Sequence, residues 1–147
     1  MKEVFIDMLS AVRVIRQLYH ELEGDIAIKH GLTKVESSVL AFLHNNPDAD
    51  TLSDIVYGRR LRKGNVSIAI SSLEKKGLLC RKADEKDRRV THLLPLPAAD
   101  EFLSELTEAT DELCRKVLEG LSPEDVEVLD GFFVKLDENG RKLYGRR

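Results

Sequence analysis

Four stretches decide the fold: Thr51-Leu52-Ser53-Asp54-Ile55-Val56, Leu61-Arg62-Lys63-Gly64-Asn65-Val66-Ser67, Leu73-Glu74-Lys75-Lys76-Gly77-Leu78 and Asp87-Arg88-Arg89. The first predicts a short helix that starts near Thr51, buries Leu52, Ile55 and Val56, and nears its end at Gly58. The second and third form one helix from about Lys63 to Lys76. Gly77 stands just past its end, where a left-handed residue is favoured. Leu78 to Arg81 and Arg88 to Leu94 then predict two short strands around the polar stretch Lys82–Lys86. Pro95 and Pro97 bar the second strand from continuing.

On the N-terminal side, Thr33 and Glu36 have the spacing of a capping box. They open a helix whose buried side is Val35, Val39, Leu40 and Leu43, and Asn45-Asn46-Pro47 stops it. Before it, Phe5, Met8, Leu9, Val12, Ile15, Tyr19, Leu22 and Ile26 recur at helical spacing from Glu3 to about Ile28. His30-Gly31 ends this helix. Its stripe is long for a chain end, and a partner subunit is a natural second surface for it. Beyond Pro97, apolar residues from Phe102 through Leu113 to Leu121 mark a long helix. Ser122-Pro123-Glu124-Asp125 starts another. Val126, Leu129, Phe132, Phe133 and Leu136 form its apolar face, Asn139-Gly140 is its expected end, and Arg141–Arg147 is expected to fray. The fold class is therefore mainly α with a small β-hairpin: a winged helix-turn-helix between long terminal helices. The whole of 1–147 reads as a single domain, with 33–95 as the winged part and 1–30 and 97–147 as dimerisation helices.

The chain's formal charge of −3 hides a sharp asymmetry. From Gly58 to His92 there are eleven lysines and arginines against four acids, a net +7. The remainder of the chain is strongly acidic. A concentrated basic segment is the electrostatic footprint of a polyanion-binding surface.

On a helical wheel of about 100° per residue, Val66, Ala69, Ile70 and Leu73 gather on one side. Gly64, Ile68, Ser71, Ser72 and Lys75 lie opposite, flanked by Asn65 and Ser67. A merely solvated face would carry Glu and Lys. Small polar residues can instead hydrogen-bond base edges, and an exposed Ile can touch a thymine methyl. Ile68 packed under the hairpin or against a neighbouring subunit is the alternative. Lys63 and the free N–H groups of the helix start suit a phosphate, and Arg59, Arg60 and Arg62 lie in the turn just before. Lys82, Lys86, Arg88 and Arg89 crowd the hairpin loop, and arginine on a thin hairpin can enter a narrow minor groove. These residues are the expected double-stranded DNA contacts.

The same four stretches resemble the MarR family of transcriptional regulators. The resemblance covers the middle of the chain, and LE-K-KGL followed by D-R-R is its most specific part. It implies a homodimer with interleaved terminal helices on a pseudo-palindromic operator, and a repressor released by a small aromatic or phenolic effector. It implies that Asp87 orients Arg89. Two departures stand out. Leu94-Pro95-Leu96-Pro97-Ala98 replaces the family's Leu-Thr-x-x-Gly, and Arg62 stands where Ser or Thr is usual.

No apolar run approaches the roughly 20 residues of a membrane span. The N-terminus carries acids at Glu3 and Asp7 and no small-residue cleavage site, so it does not read as a signal peptide and a cytoplasmic location is expected. Cys80 and Cys114 have no metal spacing, and neither metal nor cofactor is expected. The four histidines are scattered, with no nucleophile elbow or phosphate loop, so an enzyme is not expected. Two other readings stay open: a winged helix that binds protein, and a regulator of the same family that senses oxidants through a cysteine. Cys114 falls at an apolar spacing, which favours inert packing.

Overall fold

A computed structural model describes residues 1–144. The last three residues of the expected frayed tail lie outside the described residues. The elements are α1 (Lys2–Lys29), α2 (Lys34–Asn45), α3 (Leu52–Arg59), α4 (Lys63–Lys75), β1 (Leu79–Ala83), β2 (Thr91–Pro95), a 3-10 turn (Pro97–Ala99), α5 (Asp100–Val117) and α6 (Pro123–Tyr144). Two compact units divide them, one from Met1 to Asp111 and one from Glu112 onward.

In the first unit α2 is central, packing on α1, α3, α4 and β2. It buries Val39, Leu40, Ala41, Phe42 and Leu43, alongside Ile55 of α3, the inner face of α4, and Phe102, Leu103 and Leu106 of α5. Each large aliphatic side chain so buried is worth about 1.5–3 kcal/mol. Both short helices that lead to α4 start on reciprocal caps: Thr33 with Glu36, and Thr51 with Asp54. Such a cap contributes about 1 kcal/mol. The end of α4 is a Schellman turn. Gly77 takes φ +71, Leu78 N–H donates to the Leu73 carbonyl at 3.0 Å, and Gly77 N–H donates to that of Glu74.

Glu36 links these elements. Its carboxylate is buried, yet it accepts from Thr33 N–H at 2.7 Å and from the Lys76 ammonium at 2.9 Å. Lys76 also donates to the Gly31 carbonyl. The start of α2 is thereby tied to the end of α4. Burial opposes ionisation of Glu36, but hydrogen bonds from Ser72, Thr33 and Lys76 outweigh it and hold the pKa at about 2.

Several boundaries differ from the sequence expectation. The strands are Leu79–Ala83 and Thr91–Pro95, paired antiparallel from Leu79↔Pro95 to Ala83↔Thr91. Arg88, Arg89 and Val90 therefore sit in the loop, not in a strand. The cause is local: Asp84 N–H donates to the Val90 carbonyl, and Val90 N–H to that of Asp87, which closes the loop. The long fifth helix stops at Val117 rather than Leu121, with Gly120 at φ +88 in the turn that follows. Helix α6 does not stop at Asn139-Gly140 but continues to Tyr144. Gly140 keeps a negative φ, and an Asp137–Arg141 ion pair one turn apart bridges the site. Cys114, expected to pack, is exposed, and Cys80 is half-buried.

The outer parts of the terminal helices carry apolar residues in solvent. On α1 these are Val4, Phe5, Ile6, Leu9, Val12, Val14, Ile15 and Leu18. On α6 they are Val128, Phe132, Phe133, Val134, Leu136 and Leu143. Among the described residues no helix is long and apolar enough to cross a membrane.

A Cβ at Gly58 would lie 2.3 Å from Phe42 Cε2, and that ring is buried. Gly58→Ala should cost about 1–3 kcal/mol in chemical denaturation, and Phe42→Leu in the same chain should recover part of it. Because the folded pKa of Glu36 is depressed from 4.5 to about 2, its contribution is full above the unfolded pKa. It is lost as pH falls through the folded value. It amounts to about 3 kcal/mol at pH 7. Glu36→Gln should remove that stability at pH 7 and flatten the acid limb; an unchanged limb would place the contribution elsewhere.

Candidate nucleic-acid interface

Helix α4 buries Val66, Ala69, Ile70 and Leu73, the four residues that the wheel assigns to its inner face. Lys63, Gly64, Asn65, Ser67, Ile68 and Lys75 are exposed, with Ile68 at 72%. The alternative of Ile68 packed under the hairpin does not hold within this chain. Nothing lies within 4 Å of a Cβ built on Gly64, so the start of α4 presents bare backbone. The two serines differ from this pattern. Ser71 is half-buried and accepts from Arg81 at 3.4 Å, while Arg81 Nε donates to Glu74 at 3.0 Å. Ser72 is half-buried and its hydroxyl hydrogen-bonds Glu36. Ser72 lies at the edge of the outer face, beside the buried Glu36 carboxylate, whose pKa it helps to lower.

The turn into α4 breaks two local preferences. Arg60 takes φ 52, ψ 40, the left-handed region that favours glycine. Arg62 is the N-cap residue and provides no side-chain hydrogen bond to the helix start. A Ser or Thr there would accept from a backbone N–H. With arginine those donors remain available to an anion. Arg59 is half-buried beside this turn, and Arg60 and Arg62 are exposed.

In the wing, Asp87 grips Arg89 through three hydrogen bonds. Its Oδ1 accepts from Arg89 N–H and Nε at 3.0 Å, and its Oδ2 accepts from the terminal guanidinium nitrogen at 2.9 Å. These bonds hold the Asp87 carboxyl below the usual range and raise the Arg89 pKa. The Arg89 side chain nevertheless stays 90% exposed, so the guanidinium is oriented but not covered. Lys82, Lys86 and Arg88 are exposed around it.

Arg81, His92, Asp50 and Asp84, beside this surface, are invisible to motif reading. Arg81 and Arg89 line a hollow of about 340 Å³ together with Thr51, Leu52 and Ser53 at the start of α3. His92 of β2 bridges Asp50 and Asp84, with Nδ1 2.7 Å from Asp50 Oδ1 and Nε2 3.0 Å from Asp84 Oδ2. Asp84 Oδ1 also accepts from the N–H groups of Lys86 and Asp87 at 2.7 and 2.6 Å. The His92 bond and these two amides bring the Asp84 pKa to about 2. No motif marks Asp50 or His92, and acids in a basic loop read as simple charge balance.

A helix with a small polar outer face, preceded by an arginine-rich turn and followed by an arginine-tipped hairpin, defines a winged helix-turn-helix DNA-binding protein. Comparison with known proteins identifies the lineage. The MarR family model matches residues 30–90. The chain is 35% identical over 105 residues to the HTH-type transcriptional regulator MhqR of Bacillus subtilis, covering 61% of this chain and 72% of that protein. Among solved structures, a MarR family transcriptional regulator of Listeria monocytogenes, complexed with 26mer DNA, shares the fold. It has a TM-score of 0.76 at 19% identity, over 89% of this chain and 87% of that one. BpsR of Bordetella bronchiseptica, whose DNA binding is regulated by 6-hydroxynicotinic acid, shares it with a TM-score of 0.63. Its identity is 20%, over 89% and 98% of the two chains. This chain belongs to the MarR family and is a DNA-binding transcriptional regulator.

The uncapped start of α4 gives a two-sided prediction. Arg62→Ser should stabilise the fold by about 1 kcal/mol through a new cap, read as a higher denaturation midpoint. The same change should weaken DNA binding and reduce its salt slope by about one charge. A variant that gains stability with an unaltered salt slope would remove Arg62 from the contact set.

Proposed function

We propose that the protein is a homodimeric, sequence-specific repressor that works by binding and carries no chemistry of its own. The observation that carries this reading is Arg89, fixed by Asp87 and 90% exposed, standing on the same winged unit as the bare outer face of α4. In this reading α4 enters the major groove, with Asn65, Ser67, Ile68, Ser71 and Lys75 towards the bases and Gly64 allowing close approach. Ser72 contributes only through Glu36. Arg59, Arg60, Arg62 and Lys63 contact phosphates, and Lys82, Lys86, Arg88 and Arg89 follow the wing into the minor groove. The winged part is 33–95.

A second copy of the chain covers the apolar faces of 1–30 and 97–147. Eight exposed apolar residues between Val4 and Leu18 support this, since soluble chains seldom leave a large contiguous apolar patch in water. Two-fold symmetry then calls for a pseudo-palindromic operator with half-sites about one helical turn apart. Release by a small aromatic or phenolic effector completes the reading. A cavity of about 130 Å³ between α1, α2 and α5 supports it, lined by Tyr19, His44, Leu103, Leu106 and Thr107 among others. Aromatic, aliphatic and hydroxyl groups there suit a small phenolic ring.

Selection from a randomised duplex pool at defined salt tests the whole. It should return an inverted repeat, and the protein should sediment as a dimer at micromolar concentration. Asn65→Ala and Ile68→Ala should relax single base positions by about 1–3 kcal/mol. Arg89→Ala should weaken binding. A monomer, or equal losses on every sequence for the α4 variants, would refute the reading.

A further inference from the structure

The wing arginine is held at the end of a relay that starts outside the wing. Arg89 is gripped by Asp87, whose own N–H donates to Asp84. Asp84 faces His92, and His92 faces Asp50 in the connection between α2 and α3. We propose that His92 is a positioning residue for DNA binding, clamping Asp84 of the wing loop to Asp50 so that Arg89 is held ready for the groove. This rests on the reading of Arg89 as a DNA contact.

The geometry requires a particular form of the ring. Both imidazole nitrogens face carboxylate oxygens, at 2.7 and 3.0 Å. A neutral imidazole has one N–H and one bare nitrogen. In that form one of the two contacts sets a lone pair against a lone pair. Only the imidazolium donates to both. The charged groups that face it are Asp50 from the α2–α3 connection, Asp84 from the wing loop and Lys82, its register partner on β1. The carboxylates are in hydrogen-bond contact, while Lys82 is exposed, so the balance favours the cation. Hydrogen bonds to Asp50 and then Asp84 accordingly raise the His92 pKa above 6.5.

The contribution of the clamp is complete below the unfolded value of 6.5 and is lost as pH rises through the raised folded value. Deprotonation forfeits the longer contact, on the Asp84 side, and so unties the loop from Asp50, while the backbone bonds that close the loop persist. It leaves the strand in place, because Leu93 N–H donates to the Asp50 carbonyl at 2.8 Å whatever the charge of the ring. The effect is thus confined to the tip that carries Arg89.

The test uses the full chain and a duplex selected by the wild-type protein from a randomised pool. Affinity should fall about five- to tenfold between pH 6 and pH 8.5. His92→Gln should bind weakly with little pH dependence, and His92→Arg, a permanent cation, should bind tightly at pH 8.5. In the free protein, NMR signals of the Lys86 and Asp87 amides should shift with the midpoint of the His92 ring. Arg89→Ala should weaken binding and abolish the part of the pH dependence that His92 supplies. Thermal unfolding of each variant at pH 6 checks that it is folded. Wild-type affinity and slope in His92→Gln, or wing amides that ignore the ring titration, would overturn the proposal. If Arg89→Ala binds as the wild type at every pH, the reading of the wing itself fails; if Arg89→Ala is weak while His92→Gln is normal, only the clamp fails.

Discussion

The packing of α4 against α2 is the constraint from which the rest descends. Val66, Ile70 and Leu73 are fully buried with Leu40 and Ile55 in one cluster. Close-packed interiors do not let a helix rotate by a residue without expelling one of these side chains. Fixing the inner face therefore fixes which residues face outward. Glu36 and Lys76 fasten the end of α4 to the start of α2, so the helix is locked in rotation by its core and along its axis by an ion pair. The bare outer face is a consequence of this packing.

Charge is distributed with the same economy. The basic segment contains four acids, and three of them have a definite partner. Glu74 holds Arg81, Asp84 ties the loop amides to His92, and Asp87 holds Arg89. The four acids lower the segment's charge from +11 to +7, and these three also set direction. A free arginine loses rotamer entropy when it binds a phosphate or a base. One already held by a carboxylate has lost much of it in advance. The acids within the +7 segment aim cations as well as neutralising them.

Features written in local spacing were legible in the sequence. The inner face of α4 follows from helical period alone, and the caps at Thr33, Thr51 and Ser122 follow from residue type at fixed offsets. What escaped depends on contacts between distant positions. Ser72 reads as outward until Glu36, 36 residues earlier, claims its hydroxyl. His92 reads as a stray histidine until folding places Asp50 against it, 42 residues away. The continuation of α6 past Asn139-Gly140 is a local error of another kind. Asn-Gly ends a helix only when one of them turns left-handed, and the i,i+4 pair of Asp137 and Arg141 stabilises the alternative.

The turn between α3 and α4 breaks the local rules that the rest of the winged unit obeys. A left-handed non-glycine residue costs about 1–2 kcal/mol, and a missing N-cap about 1 kcal/mol. Arg60 and Arg62 incur both within three residues. The elements on either side carry a capping box and a Schellman turn, so the surrounding unit can bear that cost. Glycine at position 60 and serine at position 62 would satisfy the backbone better. Arginine supplies charge instead, beside helix N–H groups that no side chain caps. Local stability at this turn is lower than it could be, and the N–H groups at the start of α4 stay available to an anion.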